Sequence, residues 1–242
     1  MSKWVLITGG TKGIGLAVAE HLAANGYDLL LTYSSDKHSA NEAVAGLTEK
    51  TGRQVAALQA DIAEKSSIDA ISDYLNRNNL YLKALIFNAG LTLRTGFENT
   101  LLEDWEKVFF ANIHFPVFLL QKIIKNFEEN SSVVFTGSIT GIHPHATSLA
   151  YGITKTAVHA LVKNLVKFLE PYGIRVNGVA PGFVETGWQT AKPAEIRKNI
   201  ESKIALHRFC QPGELAEIYK ILIENSYVNG EIVVLDGGYS YK

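Results

Sequence analysis

WVLITGGTKGIGLAVAEHLAANG (Trp4–Gly26) is the stretch on which the fold turns. It opens with an apolar, β-branched run, WVLIT (Trp4–Thr8), that has no polar face. It closes with LAVAEHLAAN at helical spacing, followed by Gly26, a residue suited to ending a helix. Between them lies TGGTKGIG (Thr8–Gly15), punctuated by Gly9, Gly13 and Gly15. Gly9 permits a tight turn, Gly13 lets the backbone approach a pyrophosphate, and Gly15 lets the helix lie close on the strand. The helix start adds free N–H groups and the positive end of its dipole. Three glycines also suit a plain turn; their place after a first strand and before a good helix is what favours a dinucleotide site.

The same alternation continues outward. DLLLTY (28–33), QVAALQAD (54–61), KALIFNAG (83–90), SSVVFTGS (131–138), IRVNGVAPG (174–182) and EIVVLDGG (231–238) read as further strands. Helical patterns fall at about 39–50, 66–77, 101–127, 149–169 and 212–224. Apolar strands alternating with helices predict an α/β, doubly wound sheet of about seven parallel strands, covered by helices on both faces. No linker, repeat or low-complexity run divides residues 1–242, which predicts a single domain. Residues 183–207, with Gly187 and Pro193, are the least regular long segment and are expected to form a lid at the substrate mouth, at the carboxyl edge of the sheet where ligands bind.

Composition narrows the function classes. Hydrophobic residues make up 47% and charged residues 19% of 242, an ordinary folded balance. The net charge of -1, without long like-charge blocks, argues against a nucleic-acid partner. The single cysteine, Cys210, excludes an intrachain disulfide and any zinc site built on several cysteines. No uncharged apolar run is long enough to span a bilayer, and the N-terminus lacks a signal pattern, so a cytoplasmic protein without a membrane partner is expected.

YGITK (Tyr151–Lys155) sets a tyrosine and a lysine four residues apart inside the helical run 149–169. With ten tyrosines, one Y-x-x-x-K arises by chance at about even odds, and alone it reads as a pair on a solvated helix face. Ser138 at an upstream strand end and the glycine turn change that weighing. A tyrosine titrates at about 10, and a cation at about 4 Å in an effective dielectric of about 20 is worth roughly 4 kcal/mol. Lys155 is therefore expected to lower the pKa of Tyr151.

In their order and spacing these motifs resemble the short-chain dehydrogenase/reductases, through nearly the whole chain. TGGTKGIG resembles the family's TGxxxGxG turn, Asn88-Ala89-Gly90 its NAG motif, Tyr151 and Lys155 its YxxxK, and Pro181-Gly182 with Thr186 its PGxxxT. Asp61-Ile62 matches the adenine contact after the third strand, and Asn112 the active-site asparagine. The resemblance implies a Rossmann-like fold and a ketone reductase closest to 3-oxoacyl-carrier-protein reductases. Tyr151 is then the proton donor, Ser138 binds the substrate oxygen, Lys155 holds the nicotinamide ribose, and Asn112 holds a water relaying protons to Lys155. It assigns cofactor contacts to Gly9, Gly10, Thr11, Lys12, Gly13, Ile14, Gly15, Ser34, Asp61, Ile62, Asn88, Ala89, Gly90, Tyr151, Lys155, Pro181, Gly182, Val184 and Thr186. A homotetramer or homodimer through the two long helices is implied as well.

NADP(H) is expected ahead of NAD(H). The second strand ends at Tyr33 and Ser34, with no acid for the ribose hydroxyls, and Lys12 stands where NADP-preferring relatives carry a basic residue. Asp36 reads as the cap of the next helix. The expected substrate is a 3-oxoacyl thioester or a related β-keto compound. An acyl carrier protein is a possible partner, yet Asn130-Ser131-Ser132 and Pro171-Tyr172-Gly173 lack the basic docking residues of such reductases, with only Arg175 nearby. A small free ketone, a sugar or a steroid stays open, as does a catalytically silent nucleotide-binding scaffold. His143 and His145 read as mouth or loop residues ahead of a metal pair, and no metal site is expected. Arg94 reads equally as an anion contact or an exposed loop residue; Leu91, Leu93, Phe183, Trp188 and Phe209 as pocket or core.

Overall fold

The computed structural model describes residues 3–144 and 148–241. Seven strands form one sheet in the order β3-β2-β1-β4-β5-β6-β7. They are β1 (Trp4–Ile7), β2 (Asp28–Tyr33), β3 (Val55–Gln59), β4 (Leu82–Phe87), β5 (Phe127–Thr136), β6 (Arg175–Pro181) and β7 (Ile232–Leu235). Every neighbouring pair is parallel.

Parallel strands need crossovers, and helices supply them. They are α1 (Gly13–Ala24), α2 (Lys37–Thr51), α3 (Ser66–Arg77), α4 (Leu102–Phe109), α5 (Phe115–Lys122), α6 (Leu149–Leu169), α7 (Gly187–Thr190), α8 (Ala194–Lys203) and α9 (Pro212–Glu224). Strand alternation splits the core in two. Val5, Ile7, Leu29 and Leu31 face Leu22 of α1 and Tyr219 of α9 on one side. Leu6 and Leu30 join Leu75 of α3, Leu119 of α5 and Val162 of α6 on the other. Because both faces are buried, the strands read as continuous apolar runs; each fully buried Leu or Ile contributes roughly 1.5–3 kcal/mol. Among the described residues no helix is long and apolar enough to cross a membrane.

One expected element is divided. The helical pattern at 101–127 becomes α4, a π-helical turn (Phe110–His114) and α5, and β5 begins at Phe127. Pro116 lacks the N–H that would bond the carbonyl of Asn112 four residues earlier, so the regular ladder cannot run through. The segment 183–207 holds two short helices, α7 and α8. Val184 bridges Cys210, and within the segment Arg197 of α8 grips Glu185 at 2.9 and 2.6 Å.

Candidate active site

The chain runs from β1 to β2 on one side and places β4 on the other, so a crevice opens beyond their carboxyl ends. Thr8 joins the two. Its Oγ1 accepts from the N–H groups of Asn88 (3.0 Å) and Ala89 (3.1 Å). Asn88 Nδ2 returns bonds to the carbonyls of Thr8 and Gly9, both at 3.1 Å. The side chain of Asn88 thus braces the glycine turn. Gly9 and Gly13 hold φ of 61° and 54°, where a side chain is strained. A Cβ on Gly15 would fall 2.2 Å from the Gly9 carbonyl oxygen, so only glycine lets α1 start this close to the turn.

A cleft of about 570 Å³ runs along this edge. Gly9, Lys12, Gly13, Ile14, Ser34, Asp61, Ile62, Asn88, Ala89, Gly90, Ser138, Tyr151, Lys155, Pro181, Gly182, Val184 and Thr186 all line it. Gly10, Thr11, Gly15 and Asn112 are outside that lining. Gly10 packs on Leu31, Thr11 is buried, and Gly15 supports the turn. Thr32, Tyr33, Ala60, Thr136, Gly137 and Gln189 line the cleft although the motifs do not assign them to it. Thr136 and Gln189 carry no pattern that distinguishes them from neighbouring polar residues.

At the inner end, the loop after β5 meets the first turns of α6. Ser148 caps α6 by accepting from the Tyr151 N–H at 3.4 Å. A Cβ on Gly141 would lie 2.6 Å from the Lys155 carbonyl carbon, so this glycine allows the loop to press on the helix. Ser138 and Tyr151 then share a hydroxyl–hydroxyl hydrogen bond. Thr140 donates to Ser138 Oγ from its N–H (3.2 Å) and its hydroxyl (2.9 Å). Lys155 Nζ donates to the Thr136 carbonyl at 2.6 Å and stands 5.4 Å from the Tyr151 ring centre.

This geometry corrects one electrostatic expectation. Burial raises the Tyr151 pKa, and the bond to Ser138 offsets only part of that rise; Lys155 is not among its causes. The lysine ammonium lies over the phenol ring but gives its hydrogen bond to the Thr136 carbonyl of β5. Burial in turn lowers Lys155 to about 8.

Asn112, in the π-helical turn, is bonded to the segment after β4 and to α6. Its Oδ1 accepts from the Leu91 N–H at 2.8 Å, and its Nδ2 donates to the Leu91 carbonyl (2.8 Å) and Thr154 Oγ1 (2.9 Å). The side chain therefore clamps the segment after β4, and a second lone pair of its Oδ1 remains to accept a further bond.

At the outer end Lys12 forms an ion pair with Asp36. Asp36 caps α2, accepting from the Ser39 N–H and hydroxyl, both at 3.0 Å. The bond from Lys12 and those from Ser39 hold its carboxyl far below the usual range.

Of the residues with two readings, Leu91 lines the cleft. Phe209 is core, stacked on Phe183 at 5.7 Å. Arg94 and His143 are exposed. His145 and the side chain of Trp188 lie outside the described residues. Among the described residues no three His, Cys, Asp or Glu side chains cluster as metal ligands.

A family profile described as Enoyl-(Acyl carrier protein) reductase matches residues 9–240. The chain is 32% identical to the uncharacterized oxidoreductase YmfI of Bacillus subtilis, over 99% of both chains. It is 30% identical to the 3-oxoacyl-[acyl-carrier-protein] reductase FabG of Aquifex aeolicus, over 96% of this chain and 95% of that one. A short-chain dehydrogenase from Burkholderia cenocepacia, solved in complex with NADP, superposes with a TM-score of 0.91 at 29% identity, covering 98% of each chain.

Proposed function

The chain belongs to the short-chain dehydrogenase/reductase family of oxidoreductases, and from that premise we propose that it reduces a ketone to a secondary alcohol, using NADP(H) ahead of NAD(H). The observation that carries this reading is the meeting of Ser138, Tyr151 and Lys155 in the same cleft as the glycine turn.

The residues present fit a nicotinamide dinucleotide. The glycine turn leaves no room for side chains beside the start of α1. Gln189 lines the cleft with a buried Oε1 that has no hydrogen-bond partner, an acceptor suited to a ligand N–H or O–H. Bound there, such a cofactor supplies the hydride. Ser138 holds the substrate carbonyl oxygen through its hydroxyl. Tyr151 passes its phenolic proton to that oxygen as the carbon is reduced. A phenol raised by burial is fully protonated at neutral pH, as a proton donor must be. Lys155, at about 8, is mostly charged at pH 7 and can turn from Thr136 to the ribose hydroxyls. Asn112 holds the water that relays protons to Lys155.

The substrate we favour is a 3-oxoacyl thioester or a related β-keto compound, in keeping with the name of the Aquifex relative. One observation supports a second reading, a ketone not presented by an acidic carrier. Ser131 and Ser132 are fully buried in β5. The Arg175 guanidinium is committed to the carbonyls of Leu222 (2.8 Å), Val228 (3.1 Å) and Ile223 (2.6 Å). The face where an acidic carrier would need basic residues therefore offers none from these positions. We also propose a homodimer or homotetramer through α4–α6, where Leu102, Phe118, Leu149 and Phe168 are exposed. NADPH oxidation with β-ketoesters, acyl thioesters and simple ketones tests the activity. No turnover with any of them would favour a silent scaffold, and a monomeric mass in solution would exclude the assembly.

A further inference from the structure

The outer end of the cleft carries an arrangement that the reduction chemistry does not require. Lys12 comes from the β1–α1 turn and Asp36 from the β2–α2 turn, so their ion pair closes the gap between two crossovers. Tyr33 and Ser34, which line the cleft there, lie beside it. This is where an adenosine ribose would rest, on the dinucleotide reading, and where a 2′-phosphate would look for a cation. Asp36 is not loosely placed. Two bonds from Ser39 anchor it as the cap of α2, which fixes its carboxylate next to the lysine.

An incoming 2′-phosphate thus meets a pair of zero net charge where Lys12 alone would present a full positive charge. It must draw the ammonium from a carboxylate that stays ionised and stays close, within a Debye length of about 8–10 Å. Exposed ion pairs are weak, so the lysine can be drawn away, but a like charge is left beside the phosphate.

Building on the NADP reading above, we propose that Asp36 is a specificity-determining residue: it holds Lys12 and weakens the advantage of 2′-phosphorylated nucleotides over unphosphorylated ones. The pair would make the discrimination between NADP(H) and NAD(H) shallower than Lys12 and an acid-free strand end would otherwise give.

The test uses adenosine 2′,5′-bisphosphate and 5′-AMP, titrated calorimetrically into wild type and Asp36→Asn. Asn is as good a helix cap as Asp, so the substitution removes charge and keeps the local structure. Asp36→Ser serves as a second capping variant should the first not fold. The bisphosphate should bind Asp36→Asn at least about fivefold more tightly, and 5′-AMP should change by less than about twofold. In a Lys12→Ala background the gain should fall below about twofold, since it acts through the lysine. Unchanged bisphosphate affinity would overturn the proposal. So would a loss of affinity, which would mean that Asp36 aims Lys12 at the phosphate, or a gain that persists undiminished without Lys12. A wild type that binds both nucleotides equally and prefers NADH would remove the NADP reading as well; an NADPH-preferring wild type that is insensitive to Asp36→Asn would remove only the role of Asp36.

Discussion

The two ends of the cleft each present a lysine, and the two are held in opposite ways. Lys155 is buried on α6, bonded to a neutral carbonyl, and its pKa falls to about 8 because burial disfavours its charge. Lys12 is 61% exposed on the glycine turn and is paired with a full carboxylate. A buried cation without a counter-charge is poised to exchange a proton near neutral pH. An exposed cation with a counter-charge is poised to exchange partners. Proton chemistry belongs to the first end and recognition to the second.

The sharpest break of this contrast is at the proton donor. Tyr151→Phe removes one hydroxyl and little volume, so kcat should fall about 10²–10⁴-fold while NADPH affinity is kept. Single-turnover kinetics beside a fluorescence titration check this; a variant retaining more than about a tenth of the wild-type rate would remove Tyr151 from the mechanism.

The next effect is on stability. Lys155 titrates at about 8 in the native protein, against 10.5 for an ordinary solvated lysine. Between those values the unfolded chain holds a proton that the native chain has released, so stability rises with pH across that window. The gain is roughly 3 kcal/mol, at about 1.36 kcal/mol per pKa unit. Denaturant titrations of wild type and Lys155→Met from pH 7 to about 10.5, the ordinary lysine value, isolate it. Parallel curves for the two proteins would contradict the burial argument.

Cofactor choice should move less. Wild type should favour NADPH by kcat/KM, and Lys12→Ala combined with Tyr33→Asp should shift the ratio toward NADH by at least about tenfold, or about 1.4 kcal/mol. A wild type preferring NADH would reverse the assignment at this end. Smallest of all is the effect of Lys12→Met on the urea midpoint, which should stay within replicate scatter because the pair lies in solvent. A clear drop would make the Lys12–Asp36 pair part of the framework and not only of recognition.

Much of the architecture is legible in the sequence because its signals are local. WVLIT and DLLLTY show no polar face because both faces of a parallel strand are covered, and that is visible residue by residue. The glycine turn announces itself by spacing, since each glycine answers a steric demand within a few residues. The pattern at 101–127 misleads for the converse reason: its apolar spacing continues through Pro116, and apolar spacing does not register a missing N–H.

By itself the sequence determined the seven-strand alternation, the glycine turn and the order of Ser138, Tyr151 and Lys155 along the chain. Only the tertiary structure decided which group each polar side chain meets. Asn112 turned to Leu91, Lys155 to Thr136 and Lys12 to Asp36, partners 21, 19 and 24 positions away. Such pairings depend on which strands lie side by side and how far each loop extends past the sheet edge. A polar side chain is compatible with many partners, and the packed backbone leaves it within reach of one.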